Sequence, residues 1–256
     1  MKYLFTSTFF LLSSVVLLFI LIPLVGLFSG VGWSGFINAL LDPQIMGSVL
    51  LTMKVSFLGT CLILLFGLPL AYLVARNHFF GKSVLESIID IPVMIPHTAA
   101  GIALLMAFNQ GGMKNVFDFM GIQLIDTETG IMLAMMFLSS PFLINGAKEG
   151  FKNVDPKLEN VARTLGAGRF SVFFRIVLPN AKKDIINGML MMWSRGLGEF
   201  GAVVIIAYHP MIAPVLIYDR FNSYGLAFSA PVAAVMIAFS MTTFLLIRGI
   251  NNRQRT

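Results

Sequence analysis

Apolar residues run along this chain in long, unbroken stretches. Positions 3–41, 55–75, 91–113, 129–147 and 221–247 carry no charged side chain, and the apolar stretch 185–207 is interrupted only by Arg195 and Glu199. A helix needs roughly 20 apolar residues to cross a hydrocarbon core, so the pattern predicts six spans. In lipid only helices or closed barrels satisfy every backbone group, and unbroken runs rather than period-two alternation select helices. The expected fold is an all-α integral membrane protein, one domain over residues 1–256. Its expected parts are an accessory first helix at about 8–28, a five-helix core at about 47–248, and a long loop, 148–183, between helices 4 and 5. Lys2 stands ahead of an apolar run as in a secretory signal. That run exceeds a signal core, however, and no A-x-A pattern follows it, so it reads as a retained helix.

Charge orients these spans. Fourteen of the eighteen Lys and Arg residues (Lys2, Arg76, Lys82, eight in the long loop, Arg248, Arg253 and Arg255) fall on one side if six helices alternate. Basic residues near span ends stay cytoplasmic, which predicts that both termini are cytoplasmic. The net charge of +6 is mostly this topological signal and does not point to nucleic acid. Cys61, the one cysteine, excludes an intrachain disulfide and a thiolate metal cluster, and His78, His97 and His209 have no metal-ligand spacing. Gly81-Lys82-Ser83 resembles the tail of a phosphate-binding loop, but Arg76 stands where its first glycine belongs. ATP is not bound by that route.

The loop 148–183 carries eight basic residues against three acids (Glu149, Asp155, Glu159), so it belongs in water. Asp155-Pro156 is a helix start, a capping carboxylate followed by proline at the first helical position. Leu158, Val161, Ala162 and Leu165 then recur as one apolar stripe. Gly166 and Gly168 break the helix, and Phe170, Phe173, Phe174 and Val177 begin a second stripe that Pro179 is expected to stop. The stripes are expected to press two short helices against the membrane body, leaving Lys157, Arg163 and Arg169 outward. An interfacial helix pair that only anchors the loop would show the same pattern.

Spacing adds a resemblance. Gly166, Ile176, Leu178 and Pro179 match the second half of the coupling-loop signature of ABC importer permeases: E-A-A, three residues, glycine, nine residues, I-x-L-P. The first half departs: Asn160 and Val161 stand where Glu and Ala are usual, Ala162 matches, and Glu159 is displaced by one. Residues 195–202 resemble the R-x-L-G-E-[FY]-G-[AS] segment of the sulfate and molybdate/tungstate permeases, and 162–168 resembles the molybdate branch. The likeness covers most of 45–248. It implies that Glu159, Asn160, Val161, Ala162, Arg163, Leu165, Gly166, Ala167 and Gly168 couple to a separate ATPase. It also implies two ATPase subunits holding ATP and Mg²⁺, a second copy of this chain, an extracytoplasmic oxyanion-binding protein, and a prokaryotic plasma membrane. No cofactor is expected in this chain, and no reaction is catalysed by it.

Within the fifth expected span, Arg195 and Glu199 are four apart and share a helix face. Ionised groups at membrane depth face a bundle interior or a water-filled path. Gly196, Gly198 and Gly201 allow close helix approach. Ser194, Arg195, Gly198, Glu199 and Gly201 are therefore candidates for a translocation path or gate, the alternative being an ion pair that only fixes packing. Two other classes remain: an ion-coupled secondary transporter, for which no inverted repeat is visible, and an intramembrane enzyme, with Ser194 as its thin candidate nucleophile.

Overall fold

The computed structural model describes residues 2–253, without the side chains of 2–4, 111–112, 248 and 250–253. Lys2, Arg248, Arg253 and Arg255, used above to orient the chain, lie outside the described side chains. Every element among the described residues is helical. In order these are α1 (Lys2–Leu41), α2 (Pro43–Arg76), α3 (Lys82–Met94), α4 (His97–Asn109), α5 (Gly111–Phe119), α6 (Glu128–Asn153) and α7 (Pro156–Thr164). There follow α8 (Arg169–Val172), a π-helical turn (Phe173–Val177), α9 (Leu178–Leu197), α10 (Val203–Ile206), α11 (Ala213–Tyr224) and α12 (Leu226–Arg253).

Four helices are long and apolar enough to cross a membrane unbroken: α1, α2, α6 and α12. The all-helical membrane fold holds, but two expected spans are not single helices. In place of a span over 91–113, α3 begins at Lys82 and meets α4 at a bend of 113°. Pro96 causes the break, because proline disfavours helical backbone in the residue before it; Ile95 is accordingly extended at φ −81°, ψ 147°. The expected span 185–207 also divides. α9 ends at Leu197, Gly198 to Ala202 form a turn, and only Val203–Ile206 is helical again. Gly196, Gly198 and Gly201 cluster at that point, and each glycine in a helix interior costs about 1 kcal/mol relative to alanine.

From Phe5 to Ile22 every side chain of α1 except Ser14 is exposed, an apolar surface suited to lipid or another membrane helix. Asp42 turns the chain from α1 into α2. Its carboxylate accepts from the backbone N–H of Gln44 (2.8 Å) and Ile45 (3.3 Å), and from Arg220 Nη2 (3.0 Å). Burial alone would raise the Asp42 carboxyl, but Arg220 and the two N–H donors hold it below the usual aspartate range.

α6 is the central helix, packed between α2 and α9. Where α6 crosses α9 there is no room for side chains: a Cβ on Gly146 would sit 2.8 Å from the Cα of Gly188. Backbone cannot rotate away as a side chain can. Gly146→Val is expected to cost about 1–3 kcal/mol through overpacking, read as a lower thermal midpoint of the detergent-purified protein; an unchanged midpoint would mean that the crossing is loose.

Candidate functional site

The loop after α6 forms an elbow by local chemistry. Asp155 caps α7 by accepting from the backbone N–H of Lys157 (2.9 Å), with Pro156 at the first helical position. At the other end Gly166 N–H donates to Arg163 O and Ala167 N–H to Ala162 O, both at 3.0 Å. That is the Schellman pattern of helix termination. It requires Gly166 at φ 88°, a left-handed conformation that other residues adopt only with strain.

The apolar stripe of α7 does not press on the membrane body. Leu158, Val161 and Leu165 are 48%, 58% and 83% exposed, and only Ala162 packs inward. Polar contacts hold the helix in their place. Glu159 pairs with Arg76 at the end of α2 (2.6 Å) and accepts from the Tyr72 hydroxyl (2.9 Å), while Arg76 Nη2 donates to Val154 O (2.9 Å). Glu159 and Ala162 are three apart and share a face, so turning both inward rolls the leucine and valine outward. Tyr72 in turn packs its ring edge-on against Phe151 and Phe173. Asn160, Arg163, Gly166 and Gly168 are exposed, Ala167 is half-buried, and Lys157 and Arg169 face outward as expected.

Pro179 does not stop the second stretch. Backbone helix runs on from Arg169 through the π turn to Leu197. The wider turn accommodates the proline ring: Leu178 N–H reaches back to Phe173 O, and the Asn180 side chain donates to Ile176 O (2.7 Å). Its expected stripe splits between two environments. Phe173 and Val177 pack inward, whereas Phe170 and Phe174 stay exposed.

At the far end of α9 the two helix breaks meet. Glu199 is 1% exposed, and its Oε2 lies 3.2 Å from Arg195 Nη1 and 3.1 Å from His97 Nδ1. Oε1 accepts from the backbone N–H of Ala202 (3.1 Å). Arg195 Nη2 also lies 2.5 Å from His97 Nε2. A buried carboxylate is costly unless paired and hydrogen-bonded, and here both oxygens are engaged. The side chains of Arg195 and His97 remain 28% and 39% exposed. Gly201 is needed for contact, since its Cβ would lie 2.8 Å from that of His97. Gly198 is exposed, and Ser194 is bonded to its own helix at Leu190 O (2.8 Å).

Arg195, Glu199 and Gly201 are thus brought together, while Ser194 and Gly198 make no bond to that cluster. Sequence reasoning missed three partners. Tyr72 and Arg76 carried a readable signal, two polar residues four apart at the end of an apolar run. Pro92, Pro96, His97 and Thr98 read as a kinked span entrance, but nothing tied His97 to Arg195, 98 positions away.

Comparison with known proteins agrees with this architecture. Residues 63–256 match the family described as the binding-protein-dependent transport system inner membrane component. The molybdate/tungstate transport system permease protein of Pyrococcus furiosus is 40% identical over 218 residues, covering 85% of this chain and 83% of that protein. Its counterpart in Methanocaldococcus jannaschii is 37% identical over 233 residues, covering 91% of each. A probable sulfate transport system permease protein of Chlorella vulgaris is 30% identical over 220 residues, covering 84% and 83%. Among solved structures, the fold resembles a bacterial ABC transporter that imports alginate, with a TM-score of 0.74 at 16% identity, covering 95% and 94%. The chain therefore belongs to the binding-protein-dependent transport inner membrane family, as a multi-pass, non-catalytic permease subunit of an ABC importer.

Proposed function

We propose that this permease passes molybdate or tungstate across a prokaryotic plasma membrane by alternating access. The observation that carries the cargo is identity of 36–40% with molybdate/tungstate permeases across most of both chains. The working assembly is two copies of this chain, two ATPase subunits that hold ATP and Mg²⁺, and an external oxyanion-binding protein. Each copy crosses the bilayer six times with both termini cytoplasmic, the bent pair α3–α4 and the broken α9–α10 each serving as one crossing. One domain spans the chain, with α1 accessory to the core.

The elbow is the ATPase dock in this reading. Leu158, Val161 and Leu165 offer apolar side chains, and Asn160, Arg163, Gly166, Ala167 and Gly168 complete the outward surface. Glu159 and Ala162 face inward and tie that surface to α2. Motion received at the elbow reaches the cluster at Arg195 along one continuous helix from Arg169 to Leu197, roughly 40 Å long at 1.5 Å per residue. There Arg195, Glu199 and Gly201 border the path, with Ser194 and Gly198 beside them. Affinity resides in the external protein, because conduction needs binding weak enough for the anion to leave.

Liposomes containing permease and ATPase, with ATP inside and the binding protein outside, test the cargo. Labelled molybdate is expected to accumulate with ATP, and excess tungstate is expected to suppress it far more than excess sulfate. Sulfate uptake without molybdate uptake would overturn the cargo. Uptake without the ATPase would overturn the mechanism.

A further inference from the structure

His97 is the one residue of α4 that reaches both Arg195 and Glu199, and it stands at the point where the broken helices touch. Arginine cannot accept a hydrogen bond, so Arg195 Nη2 is the donor where it meets the ring edge of His97, 2.5 Å from Nε2 and 3.2 Å from Nδ1. Nδ1 also lies 3.1 Å from Glu199 Oε2, so one imidazole touches both charged groups. The nearby backbone is in close contact too. A Cβ on Gly101 would lie 2.9 Å from the Cα of Ala202, so α4 and the turn after α9 are pressed together at Gly201 and again at Gly101.

Burial orders the charges. The carboxylate, which would repel an anion, is 1% exposed, while guanidinium and imidazole are 28% and 39% exposed. We propose that His97 is a positioning residue of the translocation path: a bridge that aims Arg195 at the anion route and latches the α3–α4 break to the α9 break. The proposal rests on the path reading of Arg195 and Glu199. A tetrahedral dianion releases the latch by competition. It offers Arg195 several anionic oxygens that the guanidinium fork can engage with two parallel hydrogen bonds, where the ring offers a single edge. Without the anion the breaks stay joined and ATP-driven motion is resisted.

The test uses the complete complex in liposomes, with ATP hydrolysis measured with and without molybdate-loaded binding protein, alongside molybdate imported per ATP. His97→Ala is expected to raise cargo-free hydrolysis and to lower molybdate per ATP, each by roughly threefold or more, the scale of one net hydrogen bond. His97→Gln is expected to restore both, since its amide oxygen accepts from Arg195 and its amide N–H donates to Glu199. If the alanine variant does not assemble, His97→Met replaces it, filling the space without either bond. A lower yield or melting temperature with a wild-type ratio of molybdate to ATP would overturn the latch and leave only packing. A glutamine variant that behaves like alanine would overturn it as well. Failure of the cargo reading is separable: if the wild-type complex moves sulfate in place of molybdate, the same ratio is measured with sulfate. Failure of the path reading is separable through Glu199→Gln, which would then leave uptake unchanged.

Discussion

Glu199→Ala is expected to destabilise the membrane body by about 3 kcal/mol and to abolish uptake. Removing one member of a buried ion pair costs about 3–5 kcal/mol because the other charge loses its compensation. The lower end applies here, since Arg195 retains 28% side-chain exposure and contact with His97. Two donors would lose their acceptor at once, Arg195 Nη1 and the Ala202 N–H, and His97 Nδ1 would lose its contact with the carboxylate. The thermal midpoint of the purified complex reads the first effect and ATP-driven molybdate uptake the second. Glu199→Gln separates path from packing, because it keeps the shape of the side chain and loses the charge. If Glu199 borders the path, the glutamine variant assembles normally and transports poorly. Poor assembly with normal transport by the complexes that form would assign Glu199 to packing alone.

Val161→Asp combined with Leu165→Asp is expected to release the ATPase while leaving the permease folded. Both side chains are exposed in the free chain, so a charged replacement there meets water and not a core. Burying an aliphatic side chain at an interface contributes up to about 1.5–3 kcal/mol, so each loss weakens association by roughly 10-fold to 100-fold. The fraction of ATPase that co-purifies measures this directly, and the thermal midpoint of the permease alone controls for misfolding. Unchanged co-purification would show that this face of α7 is not the dock.

Much of the elbow was legible because it is built from neighbours in sequence. Asp155-Pro156 starts α7 and Gly166 ends it, since capping and left-handed termination depend on a few adjacent residues. The apolar stripe was also legible, but its destination was not. An outward Leu165 and an inward one share a single pattern, and the choice was made by Arg76 and Tyr72 holding Glu159. Pro179 misled for a related reason: proline ends a regular helix, whereas here it stands in the first turn after a π-helical turn that closes with Leu178 N–H on Phe173 O.

By themselves, the apolar runs determined that the chain is a helical membrane protein, because the cost of placing backbone and side chains in hydrocarbon accumulates residue by residue. The nearness of Arg195 and Glu199 was equally local, four positions apart, although Glu199 lies in the turn past the end of α9 and not on the helix face expected for it. Only the tertiary structure decided that Glu199 is buried, that His97 completes the cluster, and that Tyr72 and Arg76 anchor the elbow. Those contacts join residues 83, 87 and 98 positions apart. No short-range rule specifies them; the His97 contacts follow from the breaks at Pro96 and Gly198 and from the glycine contacts that bring the broken helices together.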